Sequence, residues 1–292
     1  DVRMLMPFYS TIEEGALEID VVPELQDMSM ELDGRTIHYW IVRARQDADS
    51  PAFYLLQCPE LYGGPDLYGG EDEHIRFVLL TRAAIEMCQR LRFSPDLFHI
   101  HDWHTALLPV YLRTTYAWDD LFRDTRTVLT IHNIGYQGVF GTGALEALRL
   151  MDQRQHLDQD DLGRGNVNFL KTGLLHADAL TTVSERYAEE IRTPGRPDEQ
   201  APPAEDGNRV SVDQYQVAHV LRCMPGCMDR LNRPGAGTDR FVVEGRKMVI
   251  LDGGRSRQDE LCSGALCQIT PSGDVVVVHV RLEYMSQGQA AI

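Results

Sequence analysis

Apolar and polar positions along the chain change period several times, and each change predicts an element. Val2–Met6 is a short apolar run stopped by Pro7, the pattern of a buried strand. Asp33-Gly34 stands between the strand-like runs Met28–Leu32 and Arg35–Val42, and Asp-Gly in that setting predicts a two-residue hairpin turn. Thr36–Val42 is rich in β-branched and aromatic residues, and Ala52–Leu56 reads as a further strand. Residues 59–72 hold four glycines and two prolines in fourteen positions, which predicts a loop without regular structure. From Ile75 to Arg92, steps of three and four put Phe77, Leu80, Ala84, Cys88 and Leu91 on one face of a helix.

Alternation of strand and helix then continues. Leu97–His101 is a strand that runs straight into Asp102-Trp103-His104. The next helix carries Leu107, Leu108, Tyr111 and Leu112, with a kink expected at Pro109. Thr127–Ile131 is a β-branched strand that runs into His132-Asn133. Asn168–Ala177 reads as helix, Ala179–Val183 as strand, and Ser184 as the cap of a helix through Ile191. This order predicts an α/β fold with a mainly parallel sheet and an antiparallel hairpin near its start. Ligands of such sheets sit at the carboxyl ends of strands, and His101-Asp102 and His132-Asn133 stand at two of them. After Ile191 the pattern weakens. Residues 193–207 are rich in Pro, Gly, Asp and Glu and read as a linker; 208–292 keep only strand-like pieces at Phe241–Val243, Met248–Leu251 and Val275–Val280.

Charge divides the chain at the same place. Its 28 basic and 44 acidic residues give a net charge of −16, which argues against a nucleic-acid binder. Residues 192–292 carry 12 basic and 13 acidic residues, so nearly all the acidity lies in residues 1–191. No run approaches the roughly 20 apolar residues of a membrane helix, and the opening Asp1-Val2-Arg3 shows no export signal. Cys58 and Cys88 read as buried thiols; the pairs Cys223/Cys227 and Cys262/Cys267 are a loose zinc pattern, less expected than reduced cysteines in a cytosolic protein.

Two polar clusters carry the candidate chemistry. His99, His101, Asp102 and His104 have the residue types of a metal-dependent hydrolase, although the Asp is one position early for the H-x-H-x-D-H pattern. His99 and His101 would share one strand face and could equally be hydrogen-bonded sheet residues. Asp102 could orient substrate hydroxyls or cap the helix that follows. The second cluster is Thr130-Ile-His132-Asn133-Ile-Gly-Tyr136-Gln137-Gly138. Its imidazole, amide and backbone groups suit sugar hydroxyls, and Gly135 and Gly138 would let the backbone approach a ligand. Lys171, on a helix, reads as a solvated or snorkelling side chain outside the site.

Together these segments resemble the N-terminal catalytic half of bacterial glycogen synthases and plant starch synthases. The resemblance rests on Val2-Arg-Met-Leu-Met-Pro7, Ile75-Arg-Phe77, Asp96-Leu-Phe-His-Ile-His-Asp-Trp-His104, Thr130-Ile-His-Asn-Ile-Gly-Tyr-Gln-Gly138, Asn168-Phe-Leu-Lys-Thr-Gly173 and Ala177-Asp-Ala-Leu-Thr-Thr-Val-Ser184. It implies a Rossmann-like domain over residues 1–191, the N-terminal domain of a GT-B-type glycosyltransferase, followed by an irregular, strand-poor tail over 192–292. It also implies transfer of glucose, with retention, from ADP-glucose to the non-reducing end of an α-1,4-glucan in glycogen or starch biosynthesis, with no cofactor and no metal, in the cytoplasm. His132 and Asp102 are the implied catalytic residues; Asn133, Tyr68, Tyr136 and Gln137 are the implied substrate contacts. The family's first strand and Lys-x-Gly-Gly loop have no counterpart, and neither does the basic pair of its second domain, so the chain is expected to be incomplete. A non-catalytic glucan-binding module is the alternative. The tail is expected to pack poorly against residues 1–191, and the missing first strand is expected to leave a sheet edge or apolar face exposed.

Overall fold

The computed structural model describes residues 1–12, 17–46, 50–191, 220–222 and 248–251. The expectations for residues 193–207, for the two later cysteine pairs and for Phe241–Val243 and Val275–Val280 lie outside the described residues.

The centre is a twisted sheet whose parallel part follows the predicted strands. β1 (Val2–Pro7), β5 (Ala52–Gln57), β6 (Leu97–His101), β7 (Arg126–Ile131) and β10 (Ala179–Thr182) are its main members. The hairpin of β3 (Met28–Leu32) and β4 (Arg35–Ala44) joins it antiparallel through β4 and β5, and β2 (Ile19–Val21) pairs with the other edge of β4. Asp33 and Gly34 take φ +52° and +67°, the paired left-handed geometry that an Asp-Gly hairpin turn requires. β3 and β4 alternate buried and exposed residues, whereas β6 is buried throughout. That is the difference between a half-covered antiparallel layer and a strand covered on both faces.

Two short strands from the second part of the chain complete the order. β11 (Val220–Arg222) pairs with β10, and β12 (Met248–Leu251) lies between β1 and β6, parallel to both. The sheet therefore runs β11-β10-β7-β6-β12-β1-β5-β4-β2. This corrects the expectation of a sheet edge left exposed by a missing strand; the expectation that residues 192–292 pack poorly against 1–191 lies mostly outside the described residues. Without β12, β1 and β6 would each face a gap one strand wide with unpaired amides and carbonyls. Met-Val-Ile-Leu is a four-residue apolar run of the kind a doubly covered strand needs, and Val249 and Leu251 are fully buried.

Helices cover both faces. α2 (Glu73–Arg90) is more deeply set than a one-faced helix: Ile75, Val78, Leu79, Ala83, Ile85 and Met87 are buried along with the predicted Phe77, Leu80, Ala84 and Cys88. Some of its polar residues are bonded inward, as where Glu86 accepts from the hydroxyls of Tyr39 and Tyr116 at 2.7 and 2.9 Å. The 59–72 loop contains one helical turn, α1 (Pro59–Tyr62), which the glycine count concealed; Pro59 opens it and Gly63 ends it. After β6 the chain forms α3 (Asp102–Thr105), then α4 (Leu108–Arg113). Pro109 stands in the first turn of α4, so the expected kink is instead a break between two helices.

Residues 139–168 fold over this face. β8 (Val139–Gly141) pairs antiparallel with β9 (Asn166–Asn168), and α5 (Ala144–Ala147) and α6 (Gln159–Gly163) lie between them. α7 (Phe169–His176) follows, capped by Asn168, and α8 (Glu185–Glu190) is capped by Ser184 as expected. Lys171 departs from its expectation. It is buried, and its ammonium pairs with Asp158 at 2.9 Å and Asp161 at 3.1 Å. A Lys in the first turn of an apolar helix becomes structural once two acids from the neighbouring α6 segment meet it. Cys58 and Cys88 are buried free thiols. No helix among the described residues is long and apolar enough to cross a membrane.

Candidate functional site

β6 and β7 are parallel neighbours with His101 opposite Thr130, so their carboxyl ends release Asp102 and His132-Asn133 side by side. Asp102 turns the chain with φ +51°, a left-handed conformation that Asp tolerates better than most residues. Such geometry costs on the order of 1–3 kcal/mol and persists where surrounding contacts hold it. The contacts are clear. Oδ1 of Asp102 accepts from the backbone N–H of His132 at 2.8 Å and of Asn133 at 3.2 Å, tying one strand end to the next. The helix-cap role does not apply: Asp102 is the first residue of α3, and the cap position, His101, makes no side-chain cap bond. Burial pushes the Asp102 carboxyl up to about 7 against the lowering effect of the two amides.

The loop after β7 is fixed from both sides. Asn133 Oδ1 accepts from the N–H of Gly135 at 2.9 Å, an Asx turn, so the group Asn133 can offer a ligand is its NH2. The Tyr187 hydroxyl on α8 accepts from the Ile134 N–H at 2.9 Å; burial raises the Tyr187 pKa, and the nearby Asp102 charge adds to that. His132 is half-buried, and its Nε2 lies 2.9 Å from Nδ1 of His101. His99, below them, is bonded through Nε2 to the Thr130 hydroxyl at 2.6 Å.

His104 belongs to a different wall. Its ring stacks on Trp103 at 4.2 Å between centroids, meets Phe77 edge-on at 4.5 Å and lies 5.4 Å from Tyr68. Burial, helped by the charges of His132 and Arg76, lowers its pKa to about 3, so this imidazole is neutral. Tyr68 is 38% exposed above it. Its loop is held from beneath by the Arg76 guanidinium, which donates to the carbonyls of Asp66, Leu67 and Gly69 at 3.2, 2.5 and 3.3 Å.

The expected residues therefore separate by position. Asp102, His132 and Asn133 come together at the two strand ends. Tyr68 stands over His104, and Tyr136 is 46% exposed on the loop after β7. Gln137 is placed beneath the surface: it is buried, donates to the Ile134 carbonyl at 3.2 Å and accepts from Asn168 Nδ2 at 2.6 Å. Gly138 also serves packing. At φ +61°, a Cβ there would lie 2.2 Å from the Trp103 ring, so it is a side chain, not a ligand, that its backbone approaches closely. No group of His, Cys, Asp or Glu able to hold a metal occurs among the described residues. The geometry thus gives the hydrolase reading no support. Sequence reasoning missed Arg76 and Tyr187. Arg76 lay in plain view inside Ile75-Arg-Phe77, an arginine within an apolar helical face; Tyr187 carried no signal beyond standing three residues after a cap.

Comparison with known proteins covers the same stretch. Residues 1–200 match the model of the starch synthase catalytic domain family. Glycogen synthase 1 of Geobacter sulfurreducens is 38% identical over 200 residues, covering 66% of this chain and 39% of the relative. Glycogen synthase of Thermodesulfovibrio yellowstonii is 48% identical over 135 residues, covering 46% of this chain and 27% of its own length. Among solved structures, the catalytic domain of starch synthase IV from Arabidopsis thaliana, bound to ADP and acarbose, superposes with a TM-score of 0.57 at 25% identity, over 65% of this chain and 39% of that one. The chain spans about two fifths of the length of the curated relatives that match most of residues 1–200.

Proposed function

The chain belongs to the starch synthase catalytic domain family, and from that membership we propose that it forms the acceptor-side half of a retaining glucosyltransferase, which moves glucose from ADP-glucose to the non-reducing end of an α-1,4-glucan. The observation that carries the reading is the knot at the ends of β6 and β7, where one carboxylate on a left-handed backbone holds the amides of His132 and Asn133. A half-buried carboxylate residue bonded only to backbone amides among the described residues is costly to maintain for stability alone. It keeps a half-buried imidazole and an amide NH2 fixed on a rim, where neutral donors and acceptors can meet sugar hydroxyls.

Glucosyl transfer with retention passes through an oxocarbenium-like transition state, which fixed polar groups stabilise better than mobile ones. In this reading His132 and Asp102 stand at the transferred glucose, and the Asn133 NH2 meets a hydroxyl. The exposed rings of Tyr68 and Tyr136 offer apolar faces to glucan units, and Gln137 holds the loop after β7 from below. The reading calls for no metal or cofactor in this half. The net charge of −16 makes nucleic acid an unsuitable partner. We further read the enzyme as cytoplasmic, which fractionation of cells expressing the longer protein tests. The division of function at residue 191 belongs to the same proposal, amended by β12.

The test is transfer of radiolabelled glucose from ADP-glucose to glycogen by a longer form that carries the family's second domain. Transfer that falls by orders of magnitude in His132→Ala supports the site, and transfer unchanged by that substitution removes it. Glucan co-sedimentation without any transfer would favour the binding-only alternative.

A further inference from the structure

Three imidazoles stand in a row leading from the sheet interior to the proposed site, and the proposal above uses only the outermost. His99 and His101 are two residues apart on β6, so both rings lie on one face, 4.3 Å apart between centroids. The next ring, His132, lies 5.1 Å from His101, joined to it by the 2.9 Å contact between Nδ1 of His101 and Nε2 of His132. At the inner end the His99 Nε2 meets the Thr130 hydroxyl, which is hydrogen-bonded to the Thr181 hydroxyl on β10. His99, His101, Thr130 and Thr181 are all buried.

A hydrogen bond between two ring nitrogens needs one N–H and one lone pair. A neutral imidazole has one of each. If His101 Nδ1 donates, His132 Nε2 accepts and the proton of His132 sits on its Nδ1; if His132 Nε2 donates, the assignment reverses. Either way the choice made by one ring fixes the other, as the partner of one imidazole nitrogen sets the role of the other nitrogen. We infer that His101 is a positioning residue for His132, holding its ring plane and a single tautomer so that it turns a defined donor or acceptor toward a glucosyl unit. Asp102 fixes the backbone of His132 and His101 fixes its side chain. The inference rests on the reading of His132 as sugar-facing.

A space-filling role for His101 would be met by any flat ring of similar size, and this separates the two explanations. Long-range 1H–15N NMR of the histidine-labelled chain, at a pH where the imidazoles are neutral, reads tautomers directly. A fixed ring shows one protonated and one bare nitrogen; a mixture shows two averaged ones. His132 is expected to show the fixed pattern in the parent chain, the averaged pattern in His101→Phe, and the fixed pattern again in His101→Asn, whose amide can reach the place of Nδ1. Maltoheptaose binding is expected to weaken about fivefold in His101→Phe, the size of one net hydrogen bond, and to recover in His101→Asn. Averaged His132 nitrogens in the parent, or a fixed pattern that survives His101→Phe, would overturn the inference. Should His101→Phe fail to fold, His132→Ala at the half-buried end reads the same bond from the other side: His101 must change its pattern, and an unchanged one overturns the inference equally. A fixed pair whose signals ignore maltoheptaose would count against the proposed function and leave the bond standing. Sugar binding equally tight in parent and His101→Phe would keep the site and remove the role of His101.

Discussion

Two regions of the first 191 residues bury carboxylates, and they treat them in opposite ways. Under α7, Asp158 and Asp161 flank the Lys171 ammonium at 2.9 and 3.1 Å. Burial would raise the Asp158 pKa, but the Asp161 amide and the lysine outweigh it and the carboxyl is lowered. At the ends of β6 and β7, Asp102 has no cation in ion-pair reach among the described residues, and burial raises it to about 7. Arg76 is its mirror image, a buried cation held by three carbonyls with no carboxylate partner among the described residues. Charge answered by charge marks the place where the fold is braced. Charge answered only by neutral backbone groups borders the strand ends where the proposed function places the sugar.

The largest expected effect breaks the braced region. Lys171→Met keeps the length of the side chain and removes the cation, leaving two carboxylates facing each other in a buried space. Losing one partner of a buried pair typically costs 3–5 kcal/mol. Urea denaturation should show a midpoint lowered accordingly, with the slope unchanged. A loss below about 1 kcal/mol would mean that water already compensates these acids, and the contrast with Asp102 would disappear.

The pH dependence of stability sharpens the same contrast, because the two regions pull in opposite directions. An unfolded Asp titrates near 3.8, while the Asp102 carboxyl holds its proton to about 7 in the folded chain. Between those values the folded state binds the extra proton, so the Asp102 contribution to stability falls as pH rises from about 4 to 7. Asp158 behaves oppositely. Its lowered pKa supplies stability above the unfolded value, lost as pH falls through its folded one. Three pKa units correspond to about 4 kcal/mol at most, and partial exposure of Asp102 brings the expected loss nearer 2 kcal/mol. Buried His104, with its pKa lowered to about 3, opposes Asp102 over the same range, so the comparison is between Lys171→Met and the double variant Lys171→Met/Asp102→Asn: the urea midpoint of the first should fall relative to the second from pH 4 to 7.5. A constant difference would show that Asp102 is ionised at no cost.

How much of this was legible in the sequence depended on the range of the interaction. Strand ends, the Asp33-Gly34 turn and the Ser184 cap are local, and their residues announce them. So was the meeting of His101-Asp102 with His132-Asn133, because parallel neighbours bring their carboxyl ends together. The gap filled by Met248–Leu251 was not legible, since pairing across nearly 250 residues leaves no periodic trace in either partner. The two glycine readings diverged for a related reason. Gly135 does close a turn around Asn133, but Gly138 is dictated by Trp103, thirty-five positions away, whose ring occupies the space of a Cβ. Lys171 misled because a single helix shows no sign of the acids that the preceding loop layer brings against it.

A smaller effect is expected at Arg76, where the comparison extends to a cation. Arg76→Met fills the same space and leaves the carbonyls of Asp66, Leu67 and Gly69 without their donor. The cost to global stability should be about 1–2 kcal/mol, with most of the change confined to the loop that carries Tyr68. Amide exchange should quicken at residues 66–70 before it quickens in β6 or β7. Exchange that accelerates evenly across the sheet would make Arg76 a core residue like any other, with no special tie to the site.

The smallest effect is the most discriminating. Asn in place of Asp102 is nearly the same size, tolerates φ near +51° at least as well, and keeps a carbonyl oxygen where Oδ1 accepts from His132 and Asn133. What it removes is the ability to ionise. At acidic pH, where Asp102 is already protonated, Asp102→Asn should change stability by less than about 1 kcal/mol, since one neutral acceptor replaces another. As pH rises toward 7 the parent should lose stability relative to the variant, so the two urea-midpoint curves should diverge from a common acid limit. The same substitution isolates what the charge does for function. If the backbone knot alone matters, the longer enzyme carrying Asp102→Asn should retain its glucosyl transfer. If the charge itself supports an oxocarbenium-like centre, transfer should fall steeply while the fold becomes, if anything, more stable above pH 7. Stability and transfer moving in opposite directions in one variant would place Asp102 with the strained, working region. Losing both together would place it with the braced one.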